Sequence, residues 1–289
     1  MANSPHLFCF GLGYSATFLA RRLLAQGWRV SGTCRTAEKH KKLESLGIGA
    51  HLFDRGRPLS EVPSALRGVT HLLSSVPPDA QGDPVIDAHR AEIDAIAPDL
   101  AWIGYLSTTG VYGDRAGGWV DETSAPEPSG DRGRRRLAAE RAWLGLKQPA
   151  HLFRLAGIYG PGSSALDSVR AGRARRVIKP GQVFSRIHVE DIAQVLEASI
   201  KRPDPGAAYN VCDDDAAPPA DVITFACELL MVAPPPEVPF EEAELSPMAR
   251  SFYDDNKRVS NARIKRELGV CLRYPSYRDG LPSILAAGG

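Results

Sequence analysis

The stretch LFCFGLGYSATFLARRLLAQGWRV, residues 7–30, decides the fold of this 289-residue chain. Its apolar opening, residues 7–10, reads as a buried parallel strand. Gly11-Leu12-Gly13-Tyr14-Ser15-Ala16 follows, then a helical pattern carried by Phe18, Leu19, Leu23 and Leu24 up to Gly27. Residues 28–33 supply a second strand. Strand, glycine turn, helix and strand in this order make the unit that binds a dinucleotide. Gly11 permits the tight turn, and Gly13 lets the backbone approach a pyrophosphate. Ala16, in place of a third glycine, still allows the helix to pack on the strand. Tyr14 and Ser15 open that helix, whose first-turn N–H groups attract phosphate charge.

The end of the second strand, Ser31-Gly32-Thr33-Cys34-Arg35-Thr36, bears on the cofactor. An NAD site places Asp or Glu about 20 residues after the glycines to hold the ribose 2′-hydroxyl. Here the region carries no acid and one arginine. Arg35 suits a 2′-phosphate, with Thr36 as an extra donor and Lys39 as a more distant charge. The reading favours NADP(H) over NAD(H); the competing one makes Arg35 a solvated residue opening a helix over 37–46. Residues 49–53 form a third strand that ends at Asp54, which either accepts a hydrogen bond from an adenine amino group or closes a turn. Residues 69–74 form a fourth, followed by Ser75-Val76-Pro77-Pro78, where a cofactor passes over the strand's carboxyl end. Val85, Ile86, His89, Ile93 and Ile96 share one helix face, which makes His89 a packed residue rather than a catalyst. Residues 102–106 form a fifth strand running into Ser107-Thr108-Thr109-Gly110-Val111-Tyr112-Gly113-Asp114.

With 43% hydrophobic residues the chain can bury a sizeable core, and its length suits one large or two modest domains. A net charge of +1 gives no general attraction to nucleic acid or an anionic membrane. The five scattered cysteines show no metal spacing and fit reduced thiols. No stretch is long and apolar enough to span a bilayer, and the apolar run at 7–20 has arginines after it rather than before it, the reverse of a signal peptide. The expectation is a soluble, cytoplasmic protein with a small-molecule substrate, no nucleic-acid or membrane partner and no metal.

GLGYSA, STTGVYGD, RLAGIYGPG (154–162), RIHVEDIA (186–193) and YNVCDD (209–214) occur in one order. Together they resemble the extended short-chain dehydrogenase/reductases, the NAD(P)-dependent epimerase/dehydratase family, over most of the chain to about residue 215. The resemblance implies an α/β fold: a Rossmann-type doubly wound parallel sheet with a smaller C-terminal substrate-binding lobe. It implies domains of 1–160 with 187–213, and of 161–186 with 214–289. The hydroxyl that polarises the substrate oxygen falls on Thr108, assisted by Ser107. Arg154, Ile158 and Tyr159 fall near the nicotinamide, Arg186 and His188 near the substrate, and family habit suggests a homodimer.

One family feature is absent. The resemblance calls for YxxxK at the start of the next helix, before a segment like KLAAE. Aligning LAAE puts Arg132 at the tyrosine and Arg136 at the lysine. Arg136 can still hold a ribose hydroxyl and Arg132 can face an anionic substrate. A guanidinium stays protonated and has no acceptor, so Arg132 cannot replace the tyrosine. Tyr112 is the best substitute acid/base, with pocket lining as the plainer role; Tyr159 and His188 are weaker candidates. The sequence therefore points to an NADP(H)-dependent oxidoreductase or epimerase-like enzyme with a non-standard site, acting on a small, anionic hydroxyl or carbonyl compound. The alternative is an NADP(H)-binding sensor or scaffold without turnover. Further on, Asp191 reads as an N-cap, Asp213 to Asp215 as a solvated loop, and residues 233–239 as a proline-stiffened connector.

Overall fold

The computed structural model describes residues 4–288. A seven-stranded parallel sheet forms its largest element. Strands β1 (His6–Phe10), β2 (Arg29–Cys34), β3 (Gly49–Leu52), β4 (His71–Ser74) and β5 (Trp102–Thr108) take the spatial order β3-β2-β1-β4-β5. His151–Leu155 and Ala208–Val211 follow beyond β5. The register sets Phe8 against Ser31 on one side and Leu72 on the other. β1 is buried along its whole length, as its unbroken apolar run requires. The strand order reverses between β2 and β4, the switch point at which such sheets bind ligands.

Connections follow the expected alternation. Helix α1 (Tyr14–Ala25) joins β1 to β2, α2 (Ala37–Glu44) joins β2 to β3, and a single turn α3 (Val62–Ala65) precedes β4. α4 (Pro84–Ile96) and α5 (Asp131–Leu144) flank β5 in sequence. Asp83 caps α4 by accepting from Val85 and Ile86, and its other oxygen accepts from Trp143 Nε1 at 2.9 Å. His89 is buried as the sequence predicts. Its Nε2 accepts from the Leu59 N–H and its ring stacks on Phe10 at 5.8 Å.

β5 is longer than the apolar run suggests, because hydrogen bonding continues through Ser107 and Thr108. The helix that Asp191 was expected to cap begins before it, as Val189–Lys201. Asp191 therefore lies in its first turn, and its carboxylate accepts the N–H groups of Arg273 and Tyr274 at 2.7 and 3.0 Å. The proline connector is also partly a strand: Glu237–Pro239 pairs in parallel with Arg176–Ile178.

The chain divides into two compact units: residues 1–108, 134–154 and 192–209, and residues 109–133, 155–191 and 210–289. This differs from the boundaries read from the sequence, chiefly because 109–133 joins the second unit. There its short strand Trp119–Val120 pairs with Arg258–Val259, and Lys257 Nζ donates to the Gly113 carbonyl at 2.7 Å. No helix among the described residues is long and apolar enough to cross a membrane.

Candidate functional site

In the first unit a groove of about 580 Å³ lies at the carboxyl ends of β1, β2 and β4. Gly11, Gly13, Arg35, Thr36, Asp54, Ser75, Val76 and Pro77, all singled out from the sequence, line it together with Lys39 and Asp79. Gly11 has φ +82°, and a Cβ there would stand 3.0 Å from Ser75 Oγ and Val76 Cγ2. Its N–H donates to Thr33 Oγ1 at 2.8 Å, the Leu12 N–H donates to the Thr33 carbonyl at 2.7 Å, and the Ser75 hydroxyl donates to the Gly11 carbonyl. The turn is thus held from both neighbouring strands, and the Gly11 N–H is used within it. Over Gly13 the space is open, since a Cβ there would meet only Ser75 Oγ, at 3.9 Å.

The anion-attracting end is α1 itself. Gly13 is its N-cap, without a side-chain cap and without an acid in the first turn. Ser15 and Ala16 are buried under the helix start, while Tyr14 is exposed and packs edge-on against Phe18. A close approach explains Gly32, which the motif does not mark: a Cβ there would lie 2.3 Å from the Cys9 carbonyl oxygen.

At the far end of the groove Arg35 is exposed and Lys39 half-buried. Thr36 Oγ1 caps α2 by accepting from the Lys39 N–H at 3.2 Å. Burial, with the charge of Lys42 adding to it, lowers the Lys39 ammonium. Asp54 closes a turn: one oxygen accepts from the Gly56 N–H at 3.0 Å and the other pairs with Arg57 at 2.8 Å. Asp79 pairs with Arg55, whose hydrogen bond holds that carboxyl below its ordinary range. Both carboxylates that line the groove therefore already have cationic partners.

Beneath the end of β5 lies a buried network that the sequence reading missed. Ser107 Oγ donates to Glu140 Oε1 at 2.5 Å, and Arg154 donates to the same carboxylate through Nε and Nη2 at 3.1 and 2.9 Å. All three side chains are buried. Arg154 was expected at the cofactor; its guanidinium is committed to Glu140 instead. Glu140 is the acid of the quoted LAAE segment, and a lone acid among buried helix positions was the signal available. Arg136 Nη1 donates to Tyr105 Oη and to the Leu106 carbonyl, both at 2.9 Å, which pins it to β5. Tyr105 stacks on Trp143 at 5.5 Å, and burial pushes its phenol up. Thr108 closes β5 half-buried.

In the second unit Tyr112 is fully buried, and its hydroxyl donates to Asn210 Oδ1 at 2.8 Å. A phenol enclosed and hydrogen-bonded in this way is a packing residue, so the expected acid/base role for Tyr112 is withdrawn. Arg132 is exposed, with its guanidinium 5.0 Å from the Phe252 ring centre. Ile158 is exposed on the strand Gly157–Tyr159, which pairs with Arg186–His188. Tyr159 is buried, donates to the Ser276 carbonyl at 3.2 Å, and has its phenol pushed up by burial. His188 lies against Tyr159 and Tyr274, its Nδ1 accepts from the Glu190 N–H, and burial lowers it to about 4. Such a histidine is neutral at pH 7.

Arg186 Nη1 donates to the Phe184 and Ala217 carbonyls at 2.8 and 3.0 Å. Burial lowers its guanidinium, which the nearby Asp213 carboxyl partly offsets. The solvated-loop reading fails for Asp213, which is 3% exposed and has its carboxyl raised by burial to about 8. Its backbone N–H donates to the Arg186 carbonyl at 2.7 Å, which draws the side chain inside.

The fold has counterparts among known proteins. A conserved protein of unknown function from Silicibacter pomeroyi is 53% identical, with a TM-score of 0.93 over 98% of this chain and 99% of its own. A protein of Methylobacillus flagellatus, named provisionally as an NAD-dependent epimerase/dehydratase, is 26% identical with a TM-score of 0.70, covering 99% of this chain and 98% of its own. The chain is structurally similar to the NAD-dependent epimerases and dehydratases. Protein YeeZ of Escherichia coli K12 is 28% identical over 276 residues, 92% of this chain and 94% of its own. The dTDP-glucose 4,6-dehydratase of Bacillus anthracis, solved with NAD, shares the fold at 14% identity, with a TM-score of 0.76 over 98% of this chain and 96% of its own. No family model matches the chain.

Proposed function

We propose that this protein binds NADP(H) in the first-unit groove and acts as an oxidoreductase or epimerase-like enzyme on a small, anionic hydroxyl or carbonyl compound. The observation that carries the cofactor reading is Arg35 with Lys39 at the far end of the groove, where both lining carboxylates are already paired with arginines. A 2′-phosphate gains charge-assisted hydrogen bonds there, and a bare 2′-hydroxyl finds no carboxylate at the end of β2. The glycine turn and the uncapped start of α1 suit the pyrophosphate. The residues thus fit the cofactor, which when bound supplies the hydride chemistry.

Thr108, the last residue of β5, is the side chain we assign to polarise the substrate oxygen. Ser107 does not share that task directly, because its hydroxyl donates to Glu140. Arg136 orders the same strand end through Tyr105 and the Leu106 carbonyl rather than holding a ribose. Arg132, exposed, and Arg186, with one nitrogen held by two carbonyls, are the proposed contacts for substrate charge. The second reading, an NADP(H)-binding sensor without turnover, is favoured by the enclosure of Tyr112 and Tyr159, which leaves neither tyrosine as a proton donor.

Fluorescence titration with NADPH and NADH, repeated on Arg35→Ala, tests the cofactor reading. Loss of a charge-assisted contact of about 1.5 kcal/mol weakens NADPH roughly tenfold and leaves NADH unchanged. Equal loss for both nucleotides, or none for either, overturns the assignment of Arg35. Turnover of NADPH with a panel of anionic carbonyl compounds, abolished in Thr108→Val, separates the enzyme from the sensor.

A further inference from the structure

A second groove in the first unit, of about 450 Å³, opens at the opposite end of the same sheet. His6 and Arg29 stand at the starts of β1 and β2, and His51 lies in β3; Trp28, Ser31 and Arg67 complete the part of its lining that matters here. The lining contains two arginines and two histidines and not one carboxylate. Neither Arg29 nor Arg67 has a side-chain hydrogen bond or ion pair among the described residues, and both are exposed. That separates them from Arg22, Arg55, Arg57, Arg136 and Arg154 of the same unit, each of which is tied to a carboxylate or a carbonyl.

The floor is polar as well. His6 Nε2 and Ser31 Oγ are 2.7 Å apart, and the buried ring also interacts with the Gly68 backbone. The residue is 4% exposed. Burial lowers His6 and the charge of Arg29 lowers it further, partly offset by the Gly68 backbone, so the imidazole is neutral at neutral pH. His51 is likewise lowered, by burial first and then by His40. Uncompensated guanidinium charge in a groove without a carboxylate is an arrangement that takes up an oxyanion.

We infer that this amino-edge groove binds the phosphate group of a small molecule, independently of the nucleotide groove at the carboxyl edge. Arg29 and Arg67 supply the charge. The groove lies at the other ends of the strands from Gly11, Arg35 and Ser75, so the site does not rest on the cofactor reading.

The test is isothermal titration of the full-length protein with inorganic phosphate at low ionic strength, with sodium chloride of equal ionic strength as the control. Variants Arg29→Ala, Arg67→Ala and Arg35→Ala are titrated alongside, and circular dichroism melts verify their folding. The expected result is saturable phosphate binding that weakens about tenfold in each of Arg29→Ala and Arg67→Ala, and is unchanged in Arg35→Ala. Histidine ring NMR signals of His6 and His51 shift on titration in the parent and not in the Arg29→Ala/Arg67→Ala double variant. Binding lost in Arg35→Ala but kept in the other two places the phosphate in the nucleotide groove and overturns the inference. Absence of saturation in the parent, or matching saturation by chloride, overturns it too.

Discussion

Glu140→Gln examines the buried network under β5 most directly. The wild-type carboxylate receives two hydrogen bonds from Arg154 and one from Ser107, and both Glu140 and Arg154 are nearly inaccessible, at 2% and 6%. The amide keeps the shape and one acceptor oxygen but removes the Glu140 charge that faces the buried Arg154 guanidinium. Breaking one partner of a buried pair costs about 3–5 kcal/mol. Retained hydrogen bonding places the amide variant at the lower end, about 3 kcal/mol. At roughly 2–4 °C per kcal/mol for a unit of this size, the melting temperature falls by about 6–12 °C. Circular dichroism melts of Glu140→Gln, Arg154→Met and the double variant form a mutant cycle. The double variant is expected to recover part of the loss, because it removes the charge together with its partner. A melting shift under 2 °C in Glu140→Gln, or strict additivity in the double variant, would refute the claim that this pair is coupled in a low-dielectric interior.

Gly11→Ala places a Cβ at φ +82°, 3.0 Å from Ser75 Oγ and Val76, so both stability and NADPH affinity should drop, the first by about 1–3 kcal/mol; unchanged melting and titration curves would contradict the tight-turn account. The Asp213 carboxyl titrates near 8 when folded against an ordinary 3.8, so the folded state binds the extra proton between those values. Stability contributed by this group is therefore full at low pH and declines as pH rises from about 4 to 8. Asp213→Asn should flatten that decline in denaturant unfolding measured across this range, and an unchanged slope would reject the assignment. Under the proposed NADP(H) reading, raising salt should narrow the preference for NADPH over NADH, because Arg35 is exposed and its charge is screened; salt-independent selectivity would point to contacts other than Arg35.

The sequence by itself determined the Rossmann-type sheet, the glycine turn and the line of residues that forms the groove at the carboxyl ends of the strands. Those features are local: a buried strand needs an unbroken apolar run, a positive φ needs glycine, and 3.6-residue spacing marks the packed helix faces. The same logic put His89 on a packed helix face, where its ring stacks on Phe10. The tertiary structure alone decided which polar residues have capacity left for a ligand. Tyr112 and Arg154 lie in the right motifs, yet partners distant in sequence, Asn210 for one and Glu140 on α5 for the other, occupy their polar groups. Asp213 looked solvated beside Asp214 and Asp215, and only the pairing of its backbone with Arg186 turned it inward. A hydrogen bond or ion pair between residues far apart along the chain leaves no periodic trace in it, so the occupancy of each donor and acceptor has to be read from the folded molecule.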